Sequence, residues 1–239
     1  MSGGVHVVGG GWGGDARVWH AFVAEAAARA GGVPRVAVVA VRDGDEQEHA
    51  AKLIDDVRGA GEVEPVVLAV REGERIAPGD LPDDLHGVLV GGGLTPAYRE
   101  AVLPAAARIR ALVASGVPYA GFSAGSAIAA SRALLGGWRA PDGRPVVDED
   151  VAEGLDGIGV EEGLGLVPFS VDVHAAQWGT LPRLVTAVET GLVPDGVAID
   201  EDTAVLVVGG VPAVVGTGSA WWVRADGTGV HVHREPGSA

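Results

Sequence analysis

The chain has 239 residues, a formal net charge of −15 and a hydrophobic fraction of 47%. This length predicts one α/β domain that spans residues 1–239 and buries a large core. The charge excludes a protein that binds nucleic-acid phosphates, because such binding needs clustered basic side chains and Lys52 is the one lysine of the sequence. No apolar run reaches the roughly 18 residues of a membrane span, and the N-terminus lacks the pattern of a secretory signal. We therefore expect a cytoplasmic protein with neither a membrane nor a nucleic-acid partner.

Short apolar runs alternate with alanine-rich helical stretches through the first half of the chain. The predicted strands are Val5–Val8, Arg35–Val41, Val66–Val70, Gly87–Val90 and Val117–Ala120. The predicted helices are Arg17–Ala30, Asp45–Ala60, Thr95–Ser115 and Ser123–Leu135. Continuous apolar strands suit a sheet that is covered on both faces, and helices of these lengths allow right-handed crossovers. This half predicts an α/β fold with a mostly parallel, doubly wound sheet and helices on both faces.

The second half has a weaker pattern. The acidic segment Asp142–Gly163 predicts an irregular surface excursion, and order returns at Gly165–Val173, followed by a helix near Leu181–Thr190. Five further short apolar runs predict strands of a mixed sheet edge that closes with an antiparallel hairpin, namely Gly196–Ile199, Ala204–Val208, Ala213–Gly216, Ala220–Arg224 and Val230–His233.

The strongest local motif is Gly121-Phe122-Ser123-Ala124-Gly125, which follows a predicted strand and opens a predicted helix. This is the pattern of a nucleophile elbow, in which flanking glycines allow a sharp turn that exposes the serine. The start of the helix also directs free N–H groups and the positive end of the helix dipole towards the reaction centre. The alternative interpretation is that Ser123 only caps the helix. The two roles do not exclude each other.

A second glycine cluster, Gly91-Gly92-Gly93, also ends an apolar strand and opens a helix. Neighbouring strand ends of a doubly wound sheet face the same crevice. We therefore expect the N–H groups of Gly92 or Gly93, with that of Ala124, to form an oxyanion hole. A phosphate-binding loop is the competing interpretation, but the Lys-Ser/Thr ending of a P-loop and the spacing of a dinucleotide fingerprint are missing.

A serine nucleophile needs a base within hydrogen-bonding reach. The sequence has seven histidines, and His174 is the best candidate because it follows the apolar run Leu166–Val173, at the end of a predicted strand. His231 and His233 lie on a predicted hairpin strand, His49 lies on a polar helix face, and His20 and His86 lie near the surfaces or ends of predicted elements, where they need no catalytic role.

Taken together, four segments resemble the dipeptidase E and cyanophycinase family of serine peptidases. They are the glycines 91–93, the elbow 121–125, Asp172-Val173-His174, and the run from Ile199 to Ala204. The resemblance implies a fold similar to class I glutamine amidotransferases, with Ser123 as the nucleophile, His174 as the general base and an acidic third residue between them in sequence. Asp142 is our choice for that residue, with Asp148 and Glu149 as alternatives if the loop is shifted.

The sequence also departs from this family. Cyanophycinase-like chains carry an arginine-rich run after the histidine, whereas Gln177 and Trp178 stand in that region here. An apolar Trp178 puts a preference for an aspartyl side chain or for cyanophycin in doubt. We expect Trp178 and Gln177 to contact the substrate, with Arg139 and Arg132 as candidate anchors for a substrate carboxylate.

These observations predict a serine-type peptidase or amide hydrolase that acts on small peptides or related amides, without a metal or an organic cofactor. An esterase and a catalytically inactive ligand-binding or scaffold protein of the same fold are the alternatives. A glutamine-hydrolysing amidotransferase is disfavoured because it relies on a cysteine at the elbow and this chain has none. A homodimer remains open.

Overall fold

The computed structural model describes residues 2–238. Its strands, in chain order, are β1 Val5–Val8, β2 Arg35–Arg42, β3 Glu64–Arg71, β4 Gly87–Val90, β5 Tyr119–Phe122, β6 Arg132–Gly136, β7 Gly159–Glu162, β8 Ser170–Val173, β9 Asp195–Ile199, β10 Thr203–Val208, β11 Val211–Gly216, β12 Ser219–Ala225 and β13 Val230–Pro236. The α-helices are α1 Arg17–Ala30, α2 Glu46–Arg58, α3 Thr95–Val102, α4 Ala106–Ala114, α5 Ala124–Ala129 and α6 Leu181–Glu189.

A seven-stranded sheet forms the centre of the molecule, in the order β11-β10-β1-β5-β4-β2-β3. Strands β1, β5, β4, β2 and β3 are parallel, whereas β10 and β11 extend the sheet with antiparallel pairing. The comparisons with known structures described below confirm the predicted class, an α/β fold with a large, mostly parallel sheet and helices.

Apolar side chains cover both faces of this sheet. Val36 and Val38 of β2 pack into one cluster with residues of α1 and α2, while Val39 and Val41 of the same strand pack into another with residues of α3, α4 and α5. Because successive side chains of a strand point to opposite faces, a strand buried on both sides reads as a continuous apolar run. This explains why the parallel strands were visible in the sequence.

A second sheet, in the order β13-β12-β9-β8, packs beside the first, and β6 pairs with β7 in a two-stranded ribbon. The C-terminal strands were predicted as edge strands of one mixed sheet. They are divided between two sheets, since β10 and β11 join the central one whereas β9, β12 and β13 join β8. The closing hairpin β12-β13 is antiparallel.

Two predicted helices are shorter than expected. The predicted helix Ser123–Leu135 ends at Ala129, and its second half forms β6, which pairs with β7 inside the segment 142–163. The predicted helix Thr95–Ser115 is interrupted by a 3₁₀ turn at Leu103–Ala105. Pro104 lies within this turn and lacks the N–H that a continuous α-helix requires. Among residues 2–238, no helix has the length and apolarity that a membrane span requires.

Candidate active site

Ser123 lies in a sharp turn between β5 and α5, with φ 51° and ψ −108°. Positive φ is uncommon for a residue other than glycine and marks strain that the surrounding structure must hold in place. The two flanking glycines permit this turn: a Cβ at Gly121 would lie 2.5 Å from the carbonyl oxygen of Gly125, and a Cβ at Gly125 would collide with the backbone of Val90. All six residues of α5 are buried, so the helix that follows the turn is packed in the protein interior.

The Ser126 side chain also braces this turn. Its hydroxyl is buried and lies 2.7 Å from the carbonyl oxygens of Val8 and Gly121. This hydroxyl therefore connects the first turn of α5 to β1 and β5.

The Ser123 hydroxyl is hydrogen-bonded to the imidazole of His174. The distance from Oγ to Nε2 is 2.8 Å, and the second ring nitrogen, Nδ1, lies 2.7 Å from Oε1 of Glu201. Ser123 and His174 are 9% and 6% exposed. The three side chains thus form one continuous hydrogen-bonded series from a hydroxyl to a carboxylate, the arrangement in which a histidine can take the serine proton while the carboxylate fixes its tautomer.

The position of Glu201 corrects the choice of acidic residue made from the sequence. Asp142 lies in an exposed turn, where its carboxylate accepts a hydrogen bond from the N–H of Arg144. Asp148 caps a 3₁₀ turn through the N–H of Asp150. Neither these two residues nor Glu149, which lines the cleft, is the partner of His174, because Nδ1 is hydrogen-bonded to Glu201, which follows the histidine in sequence.

Buried polar contacts fix the loop that carries Glu201. The Asp200 carboxylate accepts hydrogen bonds from the N–H groups of Ala176 and Ser219 and from the indole N–H of Trp221. The side-chain oxygen of Gln177 accepts a hydrogen bond from the N–H of Glu201. The turn after His174 is therefore tied to the loop that supplies the carboxylate.

A buried ion pair lies beneath His174. Asp172, two residues earlier on β8, makes two hydrogen bonds with the guanidinium of Arg183 on α6, at 2.7 and 3.0 Å. The N–H of His174 itself donates to the carbonyl of Gly9 after β1. The backbone of His174, at the end of β8 in the second sheet, is thus also hydrogen-bonded to the segment that follows β1 of the central sheet.

Two of the three candidate oxyanion donors, Gly92 and Ala124, lie next to the serine. Within residues 2–238, the N–H groups of Gly92, Gly93 and Ala124 donate no hydrogen bond to another protein group. Gly92 packs directly on the serine, because a Cβ there would lie 2.8 Å from the Ser123 Cβ. Gly93 faces Tyr98 and Arg42 instead. The geometry therefore supports Gly92 and Ala124 more strongly than Gly93 as donors beside the hydroxyl.

A cleft of about 490 Å³ opens at Ser123 and His174. Besides these two residues, its lining includes apolar, basic and acidic side chains. The apolar ones are Trp12, Leu94, Phe122 and Trp178, the basic ones are Arg42 of β2 and His49 of α2, and the acidic ones, from one loop, are Glu149, Asp150 and Glu153. The volume falls in the range of about 300–1,000 Å³ that is typical of small-molecule sites.

A larger cavity, of about 630 Å³, lies elsewhere on the second sheet. It is formed by residues of β9, β12 and β13 together with Phe169. We place the candidate active site in the smaller cleft, because that cleft contains the hydrogen-bonded serine and histidine.

Burial and hydrogen bonding have opposite effects on His174. Burial lowers the pKa of the imidazole below its ordinary value, and the hydrogen bond and charge of Glu201 partly offset this effect. A lowered pKa keeps the imidazole neutral at neutral pH, which is the form that can accept a proton. Burial also lowers the pKa of His49 and raises that of Glu153.

The predicted substrate contacts Trp178, Gln177 and Arg139 have different positions. Trp178 lines the cleft, and its indole stacks on the His174 ring. Gln177 is not among the residues that line the cleft and instead binds the backbone of Glu201. Arg139 lies away from the site, where its guanidinium stacks on Trp138 and pairs with Asp156. The structure thus does not support an anchoring role for Arg139.

The site residues that were not predicted from the sequence include Glu201 beside His174 and, in the cleft lining, Arg42, His49, Leu94, Asp150 and Glu153. The run from Ile199 to Ala204 was already part of the family resemblance, so a signal for Glu201 was present in the sequence. Glu153 had no such signal, because it lies in the segment predicted to be irregular. Among residues 2–238, no group of three or more His, Asp or Glu side chains is arranged to hold a metal ion.

Comparisons with known proteins agree with this architecture. A model of peptidase family S51 matches residues 83–214, a stretch that contains all three residues of the hydrogen-bonded series. The fold and this match define the class of protein as an α/β peptidase. The chain belongs to peptidase family S51, which confirms the resemblance seen in the sequence. A search of curated proteins found no match.

Two crystal structures share the fold. A peptidase from an acI-B1 Actinobacterium aligns with a TM-score of 0.64 and 14% identity, over 100% of this chain and 96% of the other. A peptidase E protein from Listeria monocytogenes EGD-e aligns with a TM-score of 0.55 and 14% identity, over 90% of this chain and 99% of the other. At this level of identity the likeness concerns the fold alone.

Proposed function

We propose that this protein is a serine-type peptidase or amide hydrolase that cleaves small peptides or peptide-like amides through an acyl-enzyme on Ser123. The observation that carries the proposal is the hydrogen-bonded series from Ser123 through His174 to Glu201, at 2.8 and 2.7 Å, in which the serine and the histidine line a cleft. Membership of peptidase family S51 supports the same class of reaction.

In the first half of the reaction, Ser123 Oγ attacks the carbonyl carbon of the scissile amide while Nε2 of His174 accepts the hydroxyl proton. Glu201 holds Nδ1–H and stabilises the imidazolium that forms. The carbonyl oxygen becomes an oxyanion, which the N–H groups of Gly92 and Ala124 stabilise with the positive end of α5. His174 then gives its proton to the leaving amine, and the acyl group remains on Ser123.

In the second half, water takes the place of the amine. His174 removes a proton from the water, the resulting hydroxide attacks the ester, and Ser123 leaves with the proton returned by His174. Every protein group in this cycle, as distinct from the substrate and the water, comes from the described chain. The lining of the cleft, with Trp12 and Leu94 beside acidic and basic side chains, suits a small substrate that carries both apolar and charged parts.

Covalent labelling with a fluorophosphonate tests the nucleophile. Wild-type protein should be labelled once, Ser123→Ala should not be labelled, and Ser131→Ala should be labelled like wild type. Ser131 is a matched control, because it is an exposed serine shortly after the elbow in sequence. Its hydroxyl donates a hydrogen bond only to the carbonyl of Val167. Folded wild-type protein that resists labelling would contradict the proposal and favour an inactive scaffold.

A substrate scan tests the reaction class. Dipeptides, N-terminally varied peptides and simple aryl esters are compared for wild type and His174→Ala. Amide cleavage that depends on His174 supports a peptidase. Turnover restricted to esters would overturn the peptidase assignment and leave an esterase.

A further inference from the structure

The imidazole of His174 is confined by two groups that are not part of the hydrogen-bonded series. The indole of Trp178 is stacked on the ring, with centroids 3.8 Å apart and an angle of 8° between the planes. Gly10 closes the Cε1 edge of the ring, since a Cβ at this position would lie 2.7 Å from Nδ1 and 2.8 Å from Nε2. We call this enclosure, made by Trp178 and Gly10, the imidazole slot.

Backbone contacts fix both walls of the slot. The N–H of Trp178 donates to the carbonyl of His174 at 2.9 Å, so the indole is held on the turn that carries the base. Gly10 has φ 99°, a left-handed conformation that glycine adopts without a steric penalty, and its carbonyl accepts a hydrogen bond from the N–H of Asp202 beside Glu201. Trp178 therefore lies on the turn that carries the histidine, and Gly10, in the connection between β1 and α1, is hydrogen-bonded to the loop that carries the carboxylate.

Stacking has an electrostatic consequence in addition to its steric one. The face of an indole is electron-rich and attracts a cation placed over it. In the proposed reaction, the imidazole becomes a cation when it takes the Ser123 proton. A ring stacked at 3.8 Å is placed to favour that charged form, whereas a purely apolar cover would only disfavour it through desolvation.

We propose that Trp178 is a positioning residue, which holds the His174 ring in line between Ser123 and Glu201 and stabilises the imidazolium that forms during acyl transfer. This inference rests on the proposed function, because it takes His174 as the proton acceptor. Trp178 acts through His174, and this role is separate from any contact that its exposed side makes with substrate in the cleft.

Several charged groups also act on His174, and a test must hold them constant. Glu201 contacts the ring, and Asp172 and Arg183 lie beneath it. Across the cleft are Arg42, His49 and the acidic side chains of Glu149, Asp150 and Glu153. Substitutions at Trp178 leave all of these in place, so a difference between variants reports the indole.

The experiment measures the rate of fluorophosphonate labelling against pH, which requires no knowledge of the natural substrate. In wild type, the rate should fall as the pH drops through the pKa of His174. Trp178→Leu keeps an apolar cover without an aromatic face. Its midpoint should move to lower pH by about 0.5 unit, an approximately threefold change in the protonation constant, with a lower plateau rate. Trp178→Phe should lie between the two.

Trp138→Leu is the matched control. It makes the same change at a tryptophan that stacks on Arg139, outside the cleft, and its midpoint should equal that of wild type. A midpoint in Trp178→Leu that is unchanged, or that moves to higher pH, overturns the inference. If Trp178→Leu fails to fold, NMR titration of His174 in Trp178→Phe decides the matter in the same way, with a midpoint equal to wild type refuting it.

The outcomes separate the two proposals. Wild-type protein that is folded but never labelled contradicts the proposed function. If Ser123 is labelled with the same pH profile in wild type and in both Trp178 variants, the result contradicts the positioning role of Trp178 and leaves the proposed function intact.

Discussion

Replacement of Glu201 by glutamine is the sharpest test of the hydrogen-bonded series. Glutamine keeps the length and shape of the side chain but removes the negative charge 2.7 Å from Nδ1 of His174. The carboxylate then no longer stabilises the imidazolium, and the amide can offer an N–H that favours the wrong tautomer. Loss of this charge in a serine triad costs about 10⁴-fold in rate. Because the Glu201 side chain is 25% exposed, water screens part of its charge, and we expect a loss of about 10²- to 10⁴-fold.

The assay is the rate of fluorophosphonate labelling at Ser123, followed by intact-protein mass. Asp142→Asn is the matched control, since it also neutralises one carboxylate and since Asp142 lies in an exposed turn bonded to Arg144. Its labelling rate should stay within about twofold of wild type, as is usual for a surface change away from a site. Thermal unfolding of both variants establishes that they are folded.

The pH profile adds a second measurement on the same variant. The hydrogen bond and charge of Glu201 raise the pKa of His174 against the effect of burial, so the midpoint of Glu201→Gln should move to lower pH. A Glu201→Gln protein that is labelled at the wild-type rate, or a larger loss in Asp142→Asn, would refute the assignment of Glu201.

Three further outcomes follow from the structure. Gly10→Ala should remain folded yet lose at least about tenfold in the rate of fluorophosphonate labelling, because a Cβ at this position would displace the His174 ring. A wild-type rate of labelling would show that the ring has room to move. Burial raises the pKa of Glu153 above 4.5, so the folded state binds the Glu153 proton more tightly than the unfolded state does. The free energy of unfolding therefore falls as the pH rises from 4.5 through the raised pKa. Glu153→Gln should flatten this pH dependence in urea titrations, and an unchanged slope would contradict the effect of burial. The Glu25 carboxylate lies 3.2 Å from Nε2 of His6 and accepts a hydrogen bond from the N–H of Gly4, and these contacts lower the pKa of Glu25. The lowered pKa gives stability that is present above pH 4.5 and is lost as the pH falls through the lowered pKa. Glu25→Gln should therefore cost about 0.5–1.5 kcal/mol at pH 7 and less in acid, and an equal cost at both pH values would argue against the pair.

Much of the fold could be predicted from the sequence, because the parallel strands are buried on both faces. The bounds of β1 and β4 were predicted as the structure has them, and each is a short apolar run of four residues. The helix predicted at 123–135 failed because alanine and leucine favour a helix locally, whereas β6 is held by pairing with β7, a distant partner that local propensity does not reveal.

The site shows the same division between local and distant information. Ser123 could be predicted because a strained elbow needs its glycines within two residues of the serine. His174 could be predicted because it ends a buried strand. The partner of its Nδ1 could not, because several carboxylates are chemically equivalent in the sequence and only the approach of the β9–β10 connection to β8 selects Glu201.

The division of the molecule into two sheets has a consequence for how activity is lost. The serine is supplied by β5 of the central sheet, the histidine by the end of β8 in the second sheet, and the glutamate by the connection that passes from one sheet to the other. A slip of either sheet by an ångström or two would separate hydroxyl, ring and carboxylate while leaving every strand paired. Fluorophosphonate labelling of Ser123 should accordingly be lost, on heating or in mild denaturant, before any change in circular dichroism, and this loss would report how firmly the two sheets are packed together.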